Sequence, residues 1–347
     1  MQYGAIPTSM AERIALAAGL VPVPMLDTLY GMLKARCIMA GVSLGIFEAL
    51  AQESRSTSSM AAALRLDPAC LDLLLRTLVY CGYLAEDGER FALSALGRKS
   101  MIAGAPRELT GFVLWNYTQW EFAGHLESLV RTGKGLEFHE TLHDPEAWGH
   151  YQKAMLETAR FDAPVVAKHV PVREGATRLL DLGGSHGLIG ATLCRKHPPL
   201  HSTVLDLPAA ITHAQALAER EGLADVVTHR AGDLMHDDFG EGWDVVVLSN
   251  ILHHFQPDQI AAVLARARRA MSPDGTIVIW ELERPKRSAP PGAGDGVALF
   301  FRLTSTAGAY SGSEYSAWLE SAGFERVKIV RPRLSPGAVL VHARTKN

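Results

Sequence analysis

Residues 179–193 read LLDLGGSHGLIGATL. An apolar run carries Asp181, then Gly183, Gly184 and Gly187 form a glycine-rich turn, and a helix-like pattern opens behind it. Without a Cβ, backbone amides in such a turn can approach a ligand closely. The first strand-to-helix turn of an open α/β sheet is where nucleotides bind. Two further carboxylates sharpen this. Asp206 ends the next apolar run, in VLDLP, where a carboxylate can accept hydrogen bonds from two vicinal ribose hydroxyls. Asp233 ends the third, in AGDLM, where it can meet an adenine amino group, and LSNILHHF closes the fourth. The glycine spacing differs from G-x-G-x-x-G, no arginine stands beside Asp206 for a 2′-phosphate, and no P-loop lysine follows the glycines. A nicotinamide cofactor and ATP are both disfavoured.

These residues need a scaffold. From residue 175 onward apolar runs alternate with helical stretches: TRLLDLG, HSTVLDLP, DVVTHRAGD, WDVVVLSN, GTIVIWELE, then RVKIV and AVLVHAR. Most are too continuously apolar for strands with one wet face. They predict an α/β fold: a Rossmann-like, doubly wound, mostly parallel seven-stranded sheet covered by helices on both sides, its last two strands forming an antiparallel edge. Residues 285–296, PKRSAPPGAGDG, read as an exposed loop or lid.

Upstream, residues 11–53 read helical with a break around Pro22 and Pro24, and the stretch 35–52 is apolar around its whole circumference, which predicts burial on several sides. Residues 56–97 hold a Ser/Thr-rich helix start, a second helix from Asp67-Pro68 and a hairpin about Asp87-Gly88. Helix, helix, hairpin is a winged-helix pattern. A DNA reader would carry polar and basic residues on the second helix. Here that helix is leucine-rich with Arg76 as its one cation, so it suits packing and dimerisation. Residues 105–170 read as long helices rich in aromatics, among them Trp115, Trp120 and Phe161, some of which can line a substrate pocket. The predicted organisation is therefore 1–104 as a winged-helix dimerisation domain, 105–174 as a helical linker contributing to the substrate pocket, and 175–347 as the sheet domain.

Composition closes off other classes. The chain has 347 residues, enough for about two domains. Its formal net charge of −3 gives no global field for nucleic acid or anionic membrane. No signal peptide and no uncharged apolar stretch of roughly 18 residues is visible. Cys37, Cys70, Cys81 and Cys194 lack metal spacing and lie in apolar helical stretches, which predicts reduced core thiols and a cytoplasmic protein. His139, His143 and His150 fall in a polar stretch that reads as a solvated loop. No metal site is expected, because adjacent histidines such as His253-His254 diverge on a helix and no further ligands are spaced nearby.

DLGGSHG, VLDLP, AGDLM and LSNILHHF, in that order, resemble the successive motifs of class I S-adenosylmethionine-dependent methyltransferases. More closely, nearly the full chain is similar to the small-molecule O-methyltransferases of the caffeate and acetylserotonin type. The resemblance implies S-adenosylmethionine as cofactor, S-adenosylhomocysteine as its product, a small-molecule acceptor and a homodimer built through the N-terminal domain. It implies that Gly183, with Asp181 and Gly184, meets the methionine part, that Asp206 and Leu207 meet the ribose, and that Asp233, Leu234 and Ser249 surround the adenine. It matches His253 to the family's catalytic histidine, Glu281 to the acid that orients it, and Met155 to the methionine of the helix before the sheet domain. His254 is a substrate-side candidate.

The chain also departs from that pattern. His254 and Phe255 replace Asp-Trp after the histidine, Ser249 and Asn250 stand where plant enzymes carry Lys-Trp, and Ala309 falls near the position of a second orienting acid.

The chemistry suits these residue types. Methyl transfer from a sulfonium is an in-line displacement, so the protein must align the acceptor and take its proton. A phenol with a pKa near 10 is mostly neutral at pH 7, and a histidine near 6.5 is a suitable proton acceptor. The expected function is O-methylation of an apolar, aromatic small molecule in secondary metabolism. The alternatives are N- or C-methylation, a relative that has lost methyl transfer, and a ligand-sensing winged-helix regulator, which would need the basic face this sequence lacks.

Overall fold

The computed structural model describes residues 4–136, 142, 144–333 and 335–346. The chain divides into two compact units, residues 1–117 and 118–347.

The first unit opens with α1 (Met10–Ala17), capped by Ser9, whose side chain accepts the N–H of Glu12. Next comes α2 (Val23–Met25), and a π-helical turn, Leu26–Tyr30, leads into α3 (Gly31–Ser43) and α4 (Ile46–Ala49). The short β1 (Arg55–Ser56) precedes α5 (Thr57–Leu64), capped by Ser56. Asp67 caps α6 (Pro68–Tyr80), with proline in its first turn. The strands β2 (Leu84–Asp87) and β3 (Arg90–Leu93) pair antiparallel across Gly88, and β1 adds to β3. The short α7 (Ala95–Ser100) follows, and Ile46, Phe47, Leu75, Leu78 and Phe91 centre this unit's core.

The 35–52 stretch is not buried on several sides within one chain. Met39, Gly41, Ile46, Phe47 and Leu50 are buried, while Leu44 is 40% exposed, as are Met32 and Leu33 of the preceding turn at 44% each. One stripe of the helix faces the unit's core; the outward stripe has none of the described core over it. The cysteines also differ from expectation. Cys194 is buried, but Cys70 sits in the first turn of α6, where Asp67 caps its backbone N–H, and is exposed.

The helix α8 (Thr110–Ala123) runs across the boundary between the units. In the second unit come α9 (Leu126–Thr132) and α10 (Pro145–His169), capped by Asp144. His150 lies on α10, half-buried, rather than in a solvated loop; His139 and His143 lie outside the described residues.

The sheet is assembled from β4 (Arg178–Leu182), β5 (His201–Asp206), β6 (Val227–Ala231), β7 (Trp243–Ser249), β8 (Met271–Leu282), β9 (Glu325–Val330) and β10 (Ala338–Arg344). The intervening helices are α11 (Leu188–Lys196), α12 (Pro208–Arg220), α13 (Pro257–Ala270), α14 (Ala293–Thr304) and α15 (Gly312–Ser321). Among the described residues the seven strands run in the order β6-β5-β4-β7-β8-β10-β9. The five strands from β6 to β8 are parallel, and β10 is antiparallel to both β8 and β9. Alternate residues explain the apolar runs. Leu180, Leu182, Val246, Leu248, Ile277 and Ile279 pack into one core cluster, whereas Leu179, Val245, Val247, Val278 and Trp280 pack into another. The central strands are covered on both faces, as parallel strands require. The strand order reverses between β4 and β7, and the crevice at the carboxyl ends beside such a reversal is the ligand site of this architecture. The 285–296 loop is shorter than its composition suggests, because α14 begins at Ala293.

Candidate active site

The glycine turn leaves β4 and must pass over a buried carboxylate. A Cβ on Gly184 would lie 2.4 Å from Cγ of Asp181, and one on Gly183, whose φ is +67°, would lie 2.8 Å from Cγ1 of Ile251. Glycine is needed at 184 for space and at 183 for both space and dihedral angle. Asp181 is 1% exposed, and burial pushes its pKa up to about 7, the Gly190 backbone N–H partly opposing this and Asp206 adding to it.

Asp206, at the end of β5, accepts the Ser185 N–H at Oδ2 and the Leu207 N–H at Oδ1, both at 2.8 Å. Burial raises its pKa, and those two N–H groups oppose the shift. Past β6, the Asp233 N–H donates to Asp237 at 2.6 Å, and the Asp233 Oδ1 accepts the Met235 N–H at 2.7 Å. These turns surround a cavity of about 540 Å³. Of the residues predicted for the cofactor, Asp181, Gly183, Gly184, Asp206, Leu207, Asp233, Leu234 and Ser249 all reach its wall. So do Met155 and His254 from the predicted substrate side.

The aromatics divide differently. Phe161 is 43% exposed and Trp120 40%, and neither lines this cavity. Helical geometry accounts for Phe161: Met155, Thr158 and Ala159 share the face of α10 toward the cavity, and a residue two further on points elsewhere. Trp115 belongs to the first unit, is buried, and is not among the residues lining this cavity.

His253 sits on a single 3₁₀ turn, Leu252–His254, directly after β7. Its Nδ1 is 2.8 Å from Oε2 of Glu281, whose Oε1 accepts the N–H groups of Ile251 and Leu252. The imidazole stacks on Phe301 of α14, with 4.1 Å between ring centres and 6° between planes. Its own carbonyl accepts the Gly308 N–H and the Ser305 hydroxyl. The structure therefore brings the predicted histidine and acid together, but in a packed position: His253 is 5% exposed, Glu281 0%, and neither forms part of the cavity wall. The wall is formed there by His254, whose ring centre is 4.1 Å from that of His253. Ala309 is buried and supplies no acid.

Tyr151, one of the aromatics of the 105–170 stretch, does reach the wall; sequence reasoning missed Gln152 and Thr158, which join it and Met155 on the cavity face of α10. Their spacing of three residues either side of Met155 was a legible signal. Phe301 carried none, since it is 48 positions from the ring it stacks on.

A doubly wound sheet with a glycine turn over Asp181 and a carboxylate at the end of the second strand defines a nucleoside-cofactor fold. The chemistry of the wall fits an adenosyl cofactor: a turn cleared of Cβ atoms, a strand-end carboxylate for paired hydroxyls, and an apolar flank at Leu234. The family profile described as an O-methyltransferase domain matches residues 125–325, and an O-methyltransferase dimerisation domain matches residues 26–101. The chain is 28% identical to 3-hydroxy-5-methyl-1-naphthoate 3-O-methyltransferase of Streptomyces sahachiroi, covering 91% of this chain and 93% of that one. It is 30% identical to the mitomycin biosynthesis 6-O-methyltransferase of Streptomyces lavendulae, over 86% and 87% of the two chains. Human N-acetylserotonin methyltransferase, solved in complex with S-adenosylmethionine, superposes with a TM-score of 0.84 at 18% identity, over 99% of this chain and 100% of that one.

The chain belongs to the O-methyltransferase family of these domains. It is an S-adenosylmethionine-dependent O-methyltransferase of the secondary-metabolism type.

Proposed function

We propose that the acceptor is a hydroxyl on an apolar, aromatic small molecule and that His253 removes its proton. The supporting observation is the His253–Glu281 pair. With Nδ1–H donating to the Glu281 carboxylate at 2.8 Å, the lone pair of the imidazole is on Nε2, the nitrogen free to take a proton. The stacked Phe301 ring and the two backbone bonds to the His253 carbonyl hold that orientation.

In this reading Asp206 receives the ribose hydroxyls, Leu207 covers the sugar, and Asp233, Leu234 and Ser249 enclose the adenine. Gly183 and Gly184 leave room for the methionine portion above Asp181. When bound, S-adenosylmethionine supplies an electrophilic methyl group on a sulfonium. The chain's own contribution is alignment and deprotonation: Met155 and His254 form the acceptor side of the wall, and His253, its ring against that of His254 just behind the wall, accepts the phenolic proton as the oxygen becomes a nucleophile.

The protein works in this reading as a cytoplasmic homodimer. Ile14, Leu20, Tyr30, Met32 and Leu33 are exposed in the single chain, and a stretch so apolar suits cover by a second copy. The four cysteines are free, as a reducing compartment would leave them.

The test is transfer of isotopically labelled methyl from S-adenosylmethionine to a panel of phenols, naphthols and matched aryl amines. Labelling of hydroxylated aromatics is expected. Labelling confined to amines or to aliphatic alcohols would overturn the acceptor assignment.

A further inference from the structure

Two side chains of the glycine turn, Ser185 and His186, have no part in the chemistry above, yet both are engaged. Ser185 has φ +52°, a left-handed conformation that costs a non-glycine residue on the order of 1 kcal/mol or more and persists only where its surroundings hold it. It is held on three sides. Its N–H donates to Asp206 at 2.8 Å, its carbonyl is 3.1 Å from Nε2 of His229, and its hydroxyl donates to Oε1 of Gln152 on α10. His186 is buried; its Nδ1 accepts the Leu188 N–H at 3.1 Å, which leaves Nε2 as the donor, and its hydrogen-bond partner is the Met155 backbone. Burial holds its pKa down at about 4, so the ring stays neutral and keeps this one tautomer at neutral pH.

The turn thus grips α10 at two points, Gln152 and Met155, three residues apart on one helix face. That face carries Tyr151, Met155 and Thr158 to the cavity. The other end of the same network is Asp206. A glycine at 185 would take the backbone conformation without strain but would have no hydroxyl for Gln152.

We propose that Ser185 and His186 are positioning residues that couple cofactor binding at Asp206 to the setting of α10, so that the acceptor wall is ordered when the cofactor turn is occupied. The proposal rests on the assignment of Asp206 to the ribose. Hydroxyls that share Asp206 with the Ser185 N–H bear directly on the turn, and the turn has two hydrogen-bonded links to the helix.

Hydrogen exchange read by mass spectrometry, with S-adenosylhomocysteine as the probe, tests this on the full-length protein. In the wild type the probe should slow exchange at 183–188 and also at 148–160. Ser185→Gly and His186→Leu should keep the slowing at 183–188 and bind the probe within a few-fold of wild type by calorimetry, but lose most of the slowing at 148–160. His186→Gln, which retains an N–H near the Nε2 position, should restore it; a merely structural histidine would give no such split between two segments. Equal slowing at 148–160 in Ser185→Gly and wild type overturns the coupling, as does a wild type in which only 183–188 responds. A probe affinity unchanged by Asp206→Ala overturns the ribose assignment and the coupling with it.

Discussion

Oε2 of Glu281 lies 2.8 Å from Nδ1 of His253, and the other oxygen of the same carboxylate accepts the two backbone N–H groups just before that histidine. One side chain from β8 therefore fixes both the imidazole and the turn that carries it.

Removing the ring tests whether it is the base. General-base catalysis contributes about 10²–10⁴-fold, so His253→Ala should lower kcat by roughly that factor. Affinity for S-adenosylhomocysteine, measured by calorimetry, should stay within a few-fold, since the carboxylates and glycines assigned to the cofactor are on other turns and the His253 side chain is not among the residues assigned to it. Near-full turnover in the variant would rule His253 out.

Glu281→Gln separates orientation from packing. Its amide oxygen can still accept from Ile251 and Leu252, which leaves the NH₂ facing Nδ1. The imidazole then answers with an Nδ1 lone pair and carries its proton on Nε2, where it cannot serve as base. Turnover should fall at least tenfold, on the order of 1.4 kcal/mol, with little change in thermal stability. Unchanged turnover would show that the tautomer does not matter.

Asp181 imposes a pH dependence on stability. Its folded pKa of about 7 lies above the ordinary value of about 3.9. The fold favours the neutral acid, so ionisation costs stability; the cost starts as pH rises past about 4, grows to about 7 and is constant above. Asp181→Asn cannot ionise. Its melting temperature relative to wild type should therefore rise between pH 5 and pH 8, and a difference that is flat across that range would refute the shift.

Gly184→Ala should destabilise the protein by about 1–3 kcal/mol, because the new methyl group would meet the Asp181 carboxyl at 2.4 Å. The companion change Asp181→Ala removes the obstacle. Denaturant melts of the double variant should fall short of the summed single effects, the behaviour of residues in contact. Simple additivity would mean that the contact is not the reason for glycine.

The features legible in the sequence are those built within one short segment. A strand, its turn and the next helix are contiguous, so the period of the apolar runs and the residues ending them were enough to read the sheet, the glycine turn and the carboxylates Asp181, Asp206 and Asp233. The hairpin about Gly88 and the Asp67 cap are local for the same reason.

What tertiary structure alone decided are relations between segments far apart in the chain. Residue spacing cannot tell that Phe301 stacks on His253, that His254 rather than His253 meets the cavity, or that Gln152 reaches the Ser185 hydroxyl. Nor can it tell which aromatics of a helix face a pocket until the helix has been set against the sheet, and Phe161 stands on the far side of that choice. Local patterns depend on backbone periodicity, which each segment carries by itself. The direction of a side chain across a cavity depends on how whole elements pack, which no segment carries alone.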